Sequence, residues 1–165
     1  MPAVSDSSPL IYLAALSDFH LLREIFSSIV IPEAVYREVV TQGASYPVKD
    51  EVEAALGDWL TVQPIRNPHL ATQISREQQL QAGECEVIAL AKETQFQPLL
   101  LDEQRAVTYA RSLGLKVVRT PLIYTEAKLR GRIITVREKL DALRREDFWL
   151  KDRDYEAILK TAGEL

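Results

Sequence analysis

The chain of 165 residues has one cysteine, Cys85, and only two histidines, His20 and His69. A lone cysteine excludes an intramolecular disulfide, and so few histidines argue against a histidine-rich zinc site. Long apolar runs are missing: residues 10–16 and 98–101 are both short, whereas a membrane-spanning helix needs roughly 20 apolar residues. No charged stretch followed by an apolar run and a small-residue cleavage site opens the sequence. A soluble protein of the reducing cytoplasm, with no membrane partner, is the expectation. The 6 glycines form no G-x-G-x-x-G fingerprint or Walker A loop, and no G-x-S-x-G elbow occurs. Dinucleotide-binding, NTPase and serine-hydrolase roles are thereby disfavoured.

What is present is the make-up of one ordinary domain, with 47% hydrophobic and 27% charged residues, enough to bury a core without staples. A single domain over residues 1–165 is expected. The net charge of −4 conceals a split, because residues 1–103 hold 6 Lys+Arg against 15 Asp+Glu and residues 104–165 hold 14 against 9. A polyanion would be drawn to the second part and repelled by the first unless cations neutralised it. Helix surfaces rich in Arg and Lys for solubility are the plainer source of the same split.

Short apolar runs alternate with amphipathic stretches, the pattern of βαβ units and a mainly parallel sheet. Strands are expected at residues 3–6, 28–31, 60–65, 98–102 and 115–119, and a loop with a weak helix between 62 and 79. Ser8 with Pro9, Pro32 and Pro121 mark helix starts; Gly57, Gly114 and Gly131 mark helix ends. Three helical segments, about 122–130, 136–146 and 152–161, should close the chain as a helical extension over about 121–165.

Two predicted strands, Ala3-Val4-Ser5-Asp6 and Leu99-Leu100-Leu101-Asp102, stop on an aspartate before a helix. Ligands of open parallel sheets bind at the carboxyl ends of the strands, so Asp6 and Asp102 can share one site. Helix capping is the ordinary alternative, stronger for Asp102 than for Asp6, which has Ser7 and Ser8 beside it. Glu38 lies on the border of the stripe set by Val35 and Val39 if the helix turns 100° per residue. In Gly83-Glu84-Cys85-Glu86 the two glutamates stand about 200° apart on a regular helix. A regular helix can aim only one of them at the site, whereas a first turn that departs from ideal geometry could bring both. Like charges brought this close need a counterion; Mg²⁺ or Mn²⁺ prefers such oxygen ligands, and a phosphodiester is the matching substrate. Cys85, between two glutamates, should have a raised pKa and be a small helix-start residue rather than a nucleophile.

The segments Val4-Ser5-Asp6-Ser7-Ser8-Pro9, Ile31-Pro32-Glu33-Ala34-Val35-Tyr36-Arg37-Glu38-Val39, Gly83-Glu84-Cys85-Glu86-Val87-Ile88 and Leu99-Leu100-Leu101-Asp102-Glu103 together resemble the PIN domains, in particular a VapC-like branch. The resemblance covers nearly the whole chain and implies a PIN-like α/β fold with about five strands. It places the family's first aspartate on Asp6, with Ser8 as a supporting hydroxyl. The helix glutamate falls on Glu38, the third acid within Glu84 and Glu86, and the fourth on Asp102. Many relatives carry an aspartate where this chain has Glu103, a candidate outer ligand, and many VapC proteins have aspartate as the third acid. Flap endonucleases, related in fold, use both glutamates of a similar Gly-Glu-x-Glu motif.

The resemblance implies Mg²⁺- or Mn²⁺-dependent cleavage of single-stranded RNA, by a toxin that a small antitoxin neutralises, and a homodimer. Water would attack the phosphodiester in line, with no side-chain nucleophile. Arg105, Arg111 and Arg119 are candidate RNA contacts, with Lys128, Arg130 and Arg132 as further cations of the same part of the chain. Core or interface packing is the expected task of Trp59, Tyr109, Tyr124 and Trp149, and base stacking the alternative. The rival of another class is a PIN-fold module that binds RNA or a protein without turnover. A flap-endonuclease-type DNA nuclease is a third reading, for which the chain is short.

Overall fold

The five apolar runs form five parallel strands in a computed structural model that describes residues 1–42 and 47–165. In chain order, β1 (Ala3–Ser5) leads to α1 (Ser7–Ala15) and α2 (His20–Phe26), then β2 (Ile29–Ile31). Next come α3 (Glu33–Tyr36), running on into a π-helical turn at Arg37–Thr41, then α4 (Val48–Ala55) and β3 (Leu60–Val62). There follow α5 (Pro68–Gln78), α6 (Ala82–Thr94), β4 (Leu99–Leu100), α7 (Gln104–Ser112) and β5 (Val117–Val118). Three helices complete the chain: α8 (Thr120–Leu129), α9 (Val136–Arg145) and α10 (Asp152–Thr161). Every strand is shorter than its expected range, and Leu101 and Leu115 are buried beyond the ladder.

The strand order is β3-β2-β1-β4-β5. The chain builds one side of the sheet outward from β1, then returns past it to build the other, so the order reverses between β1 and β4. That switch point is where the helices following two neighbouring strands diverge and leave a crevice. Val4 pairs with Leu99 and Ser5 with Leu100, which brings the carboxyl ends of these strands level. All residues of β1, β2 and β4 are buried, as strands covered by helices on both faces must be.

Helix boundaries follow local chemistry, with two departures from expectation. Gly57, Gly114 and Gly131 adopt φ of +81°, +80° and +71°, the left-handed conformation that a glycine permits without strain. The first helix, however, begins at Ser7, so Ser8 and Pro9 lie inside it rather than capping it. Helix α5 is a full 11 residues where a weak helix was expected. Asn67 caps it through the His69 amide, Pro68 opens it, and Ile74 is buried. Its entry is also pinned from α6, where Glu93 accepts from the Arg66 and Asn67 amides at 2.8 and 2.7 Å. Among the described residues no helix is long and apolar enough to cross a membrane.

Candidate active site

Asp6 immediately follows β1, and its amide donates to the Leu100 carbonyl at 3.0 Å. Its carboxylate is buried and makes no capping bond to α1. Burial pushes its pKa up to about 7; the nearby Ser7 amide offsets part of this, and the fields of Glu84, Glu38 and Asp102 add to it. Those three acids are therefore its electrostatic neighbours.

Each neighbour arrives on a different element. Glu38 lies in the π turn, and its Oε2 accepts from the Ser7 hydroxyl at 2.8 Å. A π turn carries an extra residue per turn and re-aims the side chains beyond it, which is why such turns recur at functional sites. The helix leading to it is regular, with Tyr36 and Arg37 at ordinary α-helical angles, and Glu38 is exposed beside buried Val35 and Val39, as a residue on the border of that stripe.

Glu84 is buried at the third position of α6, where Oε1 accepts from the Gln81 amide at 3.0 Å and completes a capping box. Its Oε2 is buried with no hydrogen-bond partner among the described residues. Burial raises the Glu84 pKa, the Gln81 bond works against this, and Glu103 and Glu38 reinforce it.

Asp102, two residues past β4, is held more firmly. The Thr120 amide donates to Oδ1 at 2.7 Å, and the Thr120 and Ser8 hydroxyls donate to Oδ2 at 2.6 and 2.8 Å. Burial still raises its pKa, offset by Thr120, Ser8 and the charge of Arg119. It does not cap α7; Glu103 does, accepting from the Ala106 amide at 2.8 Å.

Two adjoining clefts meet at these residues. Asp6, Glu38, Glu84 and Glu103 line the smaller, about 320 Å³. Asp6, Asp102 and Glu103 line the larger, about 870 Å³, with Arg111 and Arg119. Arg105 is exposed on α7 and lines neither. Lys128, Arg130 and Arg132 are paired with Glu164, Glu126 and Glu24.

Glu86 is not brought into this group. Its Oε1 accepts from the Ala34 amide at 3.0 Å, at the start of α3, and its Oε2 lies 3.9 Å from Arg37. Cys85 is buried, with its thiol directed at the Leu80 carbonyl 3.6 Å away; burial pushes its pKa up to about 11, ahead of the field of Glu84. The thiol is unsuited to nucleophilic work at neutral pH.

Sequence reasoning did not single out Ser7, Thr120 or Gly83. The first two act through hydroxyl bonds to acids far along the chain. Gly83 lies within α6, where a Cβ would stand 2.9 Å from Asp6 Oδ1 and 3.6 Å from Glu38 Oε2. Its missing side chain lets the helix approach both carboxylates.

The site suits a hard divalent cation in three respects. All donors are oxygens, Glu84 Oε2 is orphaned, and Gly83 lets the Asp6 and Glu38 carboxylates lie close to α6, where a Cβ would crowd them. Among the described residues no three or more His, Cys, Asp or Glu side chains already stand in metal-holding geometry. A cation would be held only after side-chain adjustment.

Buried carboxylates at the switch point of an all-parallel sheet lie where open α/β proteins take their ligands, at the carboxyl ends of the strands. The family model described as PIN domain matches residues 2–164, and the chain belongs to that family. Membership supports a nuclease-type, hydrolytic function on nucleic acid, and PIN nucleases generally use divalent metal ions. No curated protein matches the chain.

Proposed function

We propose that the protein is a metal-dependent ribonuclease that hydrolyses phosphodiester bonds in single-stranded RNA, with Asp6, Glu38, Glu84 and Asp102 as the residues that hold Mg²⁺ or Mn²⁺. The observation that carries this is the convergence of Asp6, Glu38 and Glu84 on one cleft, with Glu84 Oε2 buried and without a partner among the described residues. Uncompensated acids in such a place destabilise the fold, and a cation is the compensation a nuclease fold can use.

Once bound, a divalent cation supplies Lewis acidity at the scissile phosphate and favours ionisation of the attacking water. The protein's own residues do the positioning. Ser7 and Ser8 orient Glu38 and Asp102 from one helix, and Thr120 fixes Asp102 from another. Hydroxyl bonds of this kind behind a ligand typically matter 10–100-fold for metal affinity or activity, roughly. The resemblance of these motifs to a VapC-like branch supports a toxin held in check by a small antitoxin, and a homodimer.

The first test is cleavage of a mixed single-stranded RNA pool with Mg²⁺, Mn²⁺ or EDTA, beside Asp6→Asn. Metal-dependent cutting lost in the variant is expected; no cutting with metal bound and any antitoxin removed would leave a binding module. The same assay separates the two glutamates. Glu84→Gln should lower the cleavage rate about 100-fold or more, whereas Glu86→Gln, which can still accept from the Ala34 amide, should stay within about twofold. Equal losses would return Glu86 to the site.

A further inference from the structure

The larger cleft has a wall that the acids do not explain. Helix α9 ends in a tight turn in which Asp147 takes φ of +64°, its amide bonding the Arg144 carbonyl and the Phe148 amide bonding the Leu143 carbonyl. This double bond pattern ends a helix and aims the next residue back at it. Phe148 is accordingly buried and meets the Tyr12 ring edge-on, centroids 5.0 Å apart at 82°. Leu150 is buried too, and its carbonyl accepts from Arg144 at 2.7 Å. Trp149, between these two anchors, is 75% exposed and lines the cleft.

An isolated apolar side chain at a surface is ordinary, but this one is held outward by a loop fixed on both sides. Its position is also tied to the acids. Tyr12, which receives Phe148, lies one helical turn after Ser8, whose hydroxyl binds Asp102. Lys151 Nζ sits 5.3 Å from the Trp149 ring centroid. Arg111 and Arg119 line the same cleft, and Arg119 Nε is buried without a hydrogen-bond partner among the described residues.

An indole platform beside cations, in a groove that leads to buried carboxylates, matches how single strands are held: cations follow the phosphates while aromatic faces take unstacked bases. A duplex keeps its base faces covered and has nothing to offer Trp149. We propose that this cleft is the path of a single-stranded nucleic acid and that Trp149 stacks on one of its bases, with Arg119 and Lys151 facing the adjoining phosphates. The assignment rests on the ribonuclease reading for the direction of the strand, not for its binding.

The test uses the full chain with single-stranded RNA of about ten nucleotides, a single-stranded DNA and an RNA duplex of the same sequence, all in Ca²⁺. Binding is followed by probe anisotropy and by tryptophan fluorescence. Expected are quenching of the wild type by either single strand and little by the duplex. Trp149→Phe should keep the anisotropy change and lose most of the quenching. Trp149→Ala should bind about tenfold or more weakly with an unchanged melting temperature, and in Mg²⁺ should raise KM more than it lowers kcat. Wild-type quenching needs no variant to fold. Binding without quenching, duplex preferred over single strand, or wild-type affinity and KM in Trp149→Ala would each overturn the proposal. Quenched binding with no cleavage in any metal would overturn the ribonuclease reading and leave this one standing. Cleavage with an unaltered KM in Trp149→Ala would do the reverse.

Discussion

Asp6→Asn is expected to abolish cleavage and, in EDTA at pH 8, to raise the melting temperature by roughly 5–10 °C. The stability gain follows from the same burial that makes Asp6 useful. Its carboxyl is pushed up to about 7 by desolvation first, and then by Glu84, Glu38 and Asp102, against about 3.9 in the unfolded chain. The folded state thus holds the proton more tightly than the unfolded state. The stability this contributes is fully present below the unfolded value and is lost as pH rises through about 7. Over some three units the loss is on the order of a few kcal/mol, and for a domain of this size about 1 kcal/mol moves Tm by roughly 2–4 °C.

Asn carries no ionisable proton, so the variant's advantage should grow between pH 4 and 7 and level off above. Calorimetry across that range in EDTA measures it. Adding Mn²⁺ should then stabilise the wild type more than the variant, because a ligand of the native state raises stability by mass action. A variant no more stable than wild type at pH 8 would show that Asp6 is not held against its preference for water.

The places of the five strands, and hence of Asp6 and Asp102, are legible in the sequence because an apolar run ending in aspartate is a local signal. Glu84 and Glu86 stayed undecided because the deciding partners are remote. Glu86 finds the Ala34 amide 52 residues away, which no helical periodicity can reveal, while Glu84 spends one oxygen on its own helix start. Glu38 was placed on the border of the Val35 and Val39 stripe by helical geometry, and it is exposed beside those two buried residues; its Ser7 partner, 31 residues away, is what periodicity does not show.

For Trp149 the sequence offered core or interface packing, with base stacking as the alternative; the alternation of buried Phe148, exposed Trp149 and buried Leu150 on a loop without secondary structure excludes the core and leaves the other two. Helix α5 was undervalued because its fixings, Asn67 and Glu93, are polar and one of them comes from another helix.

Gly83→Ala should leave the fold intact and yet lower metal affinity about tenfold or more and cleavage about 100-fold. Within a helix the exchange is by itself favourable, by up to about 1 kcal/mol and less near an end, and Gly83 has no left-handed φ to lose. The cost falls on its neighbours. The new Cβ would stand 2.9 Å from Asp6 Oδ1, closer than carbon and oxygen tolerate, while Val35 Cγ2 at 3.5 Å and Glu38 Oε2 at 3.6 Å already fill the adjoining space. The backbone of Asp6 is fixed by its bond to Leu100, so the carboxylate must rotate, and the oxygen nearest the helix moves first. Mn²⁺ titration followed by melting temperature measures the affinity, and cleavage at saturating Mn²⁺ measures the remainder. Partial rescue by excess metal is expected, since the donors are displaced and not removed. Wild-type affinity and rate in this variant would mean that Asp6 does not reach a cation past Gly83, and the assignment of Asp6 as a metal ligand would fall with it.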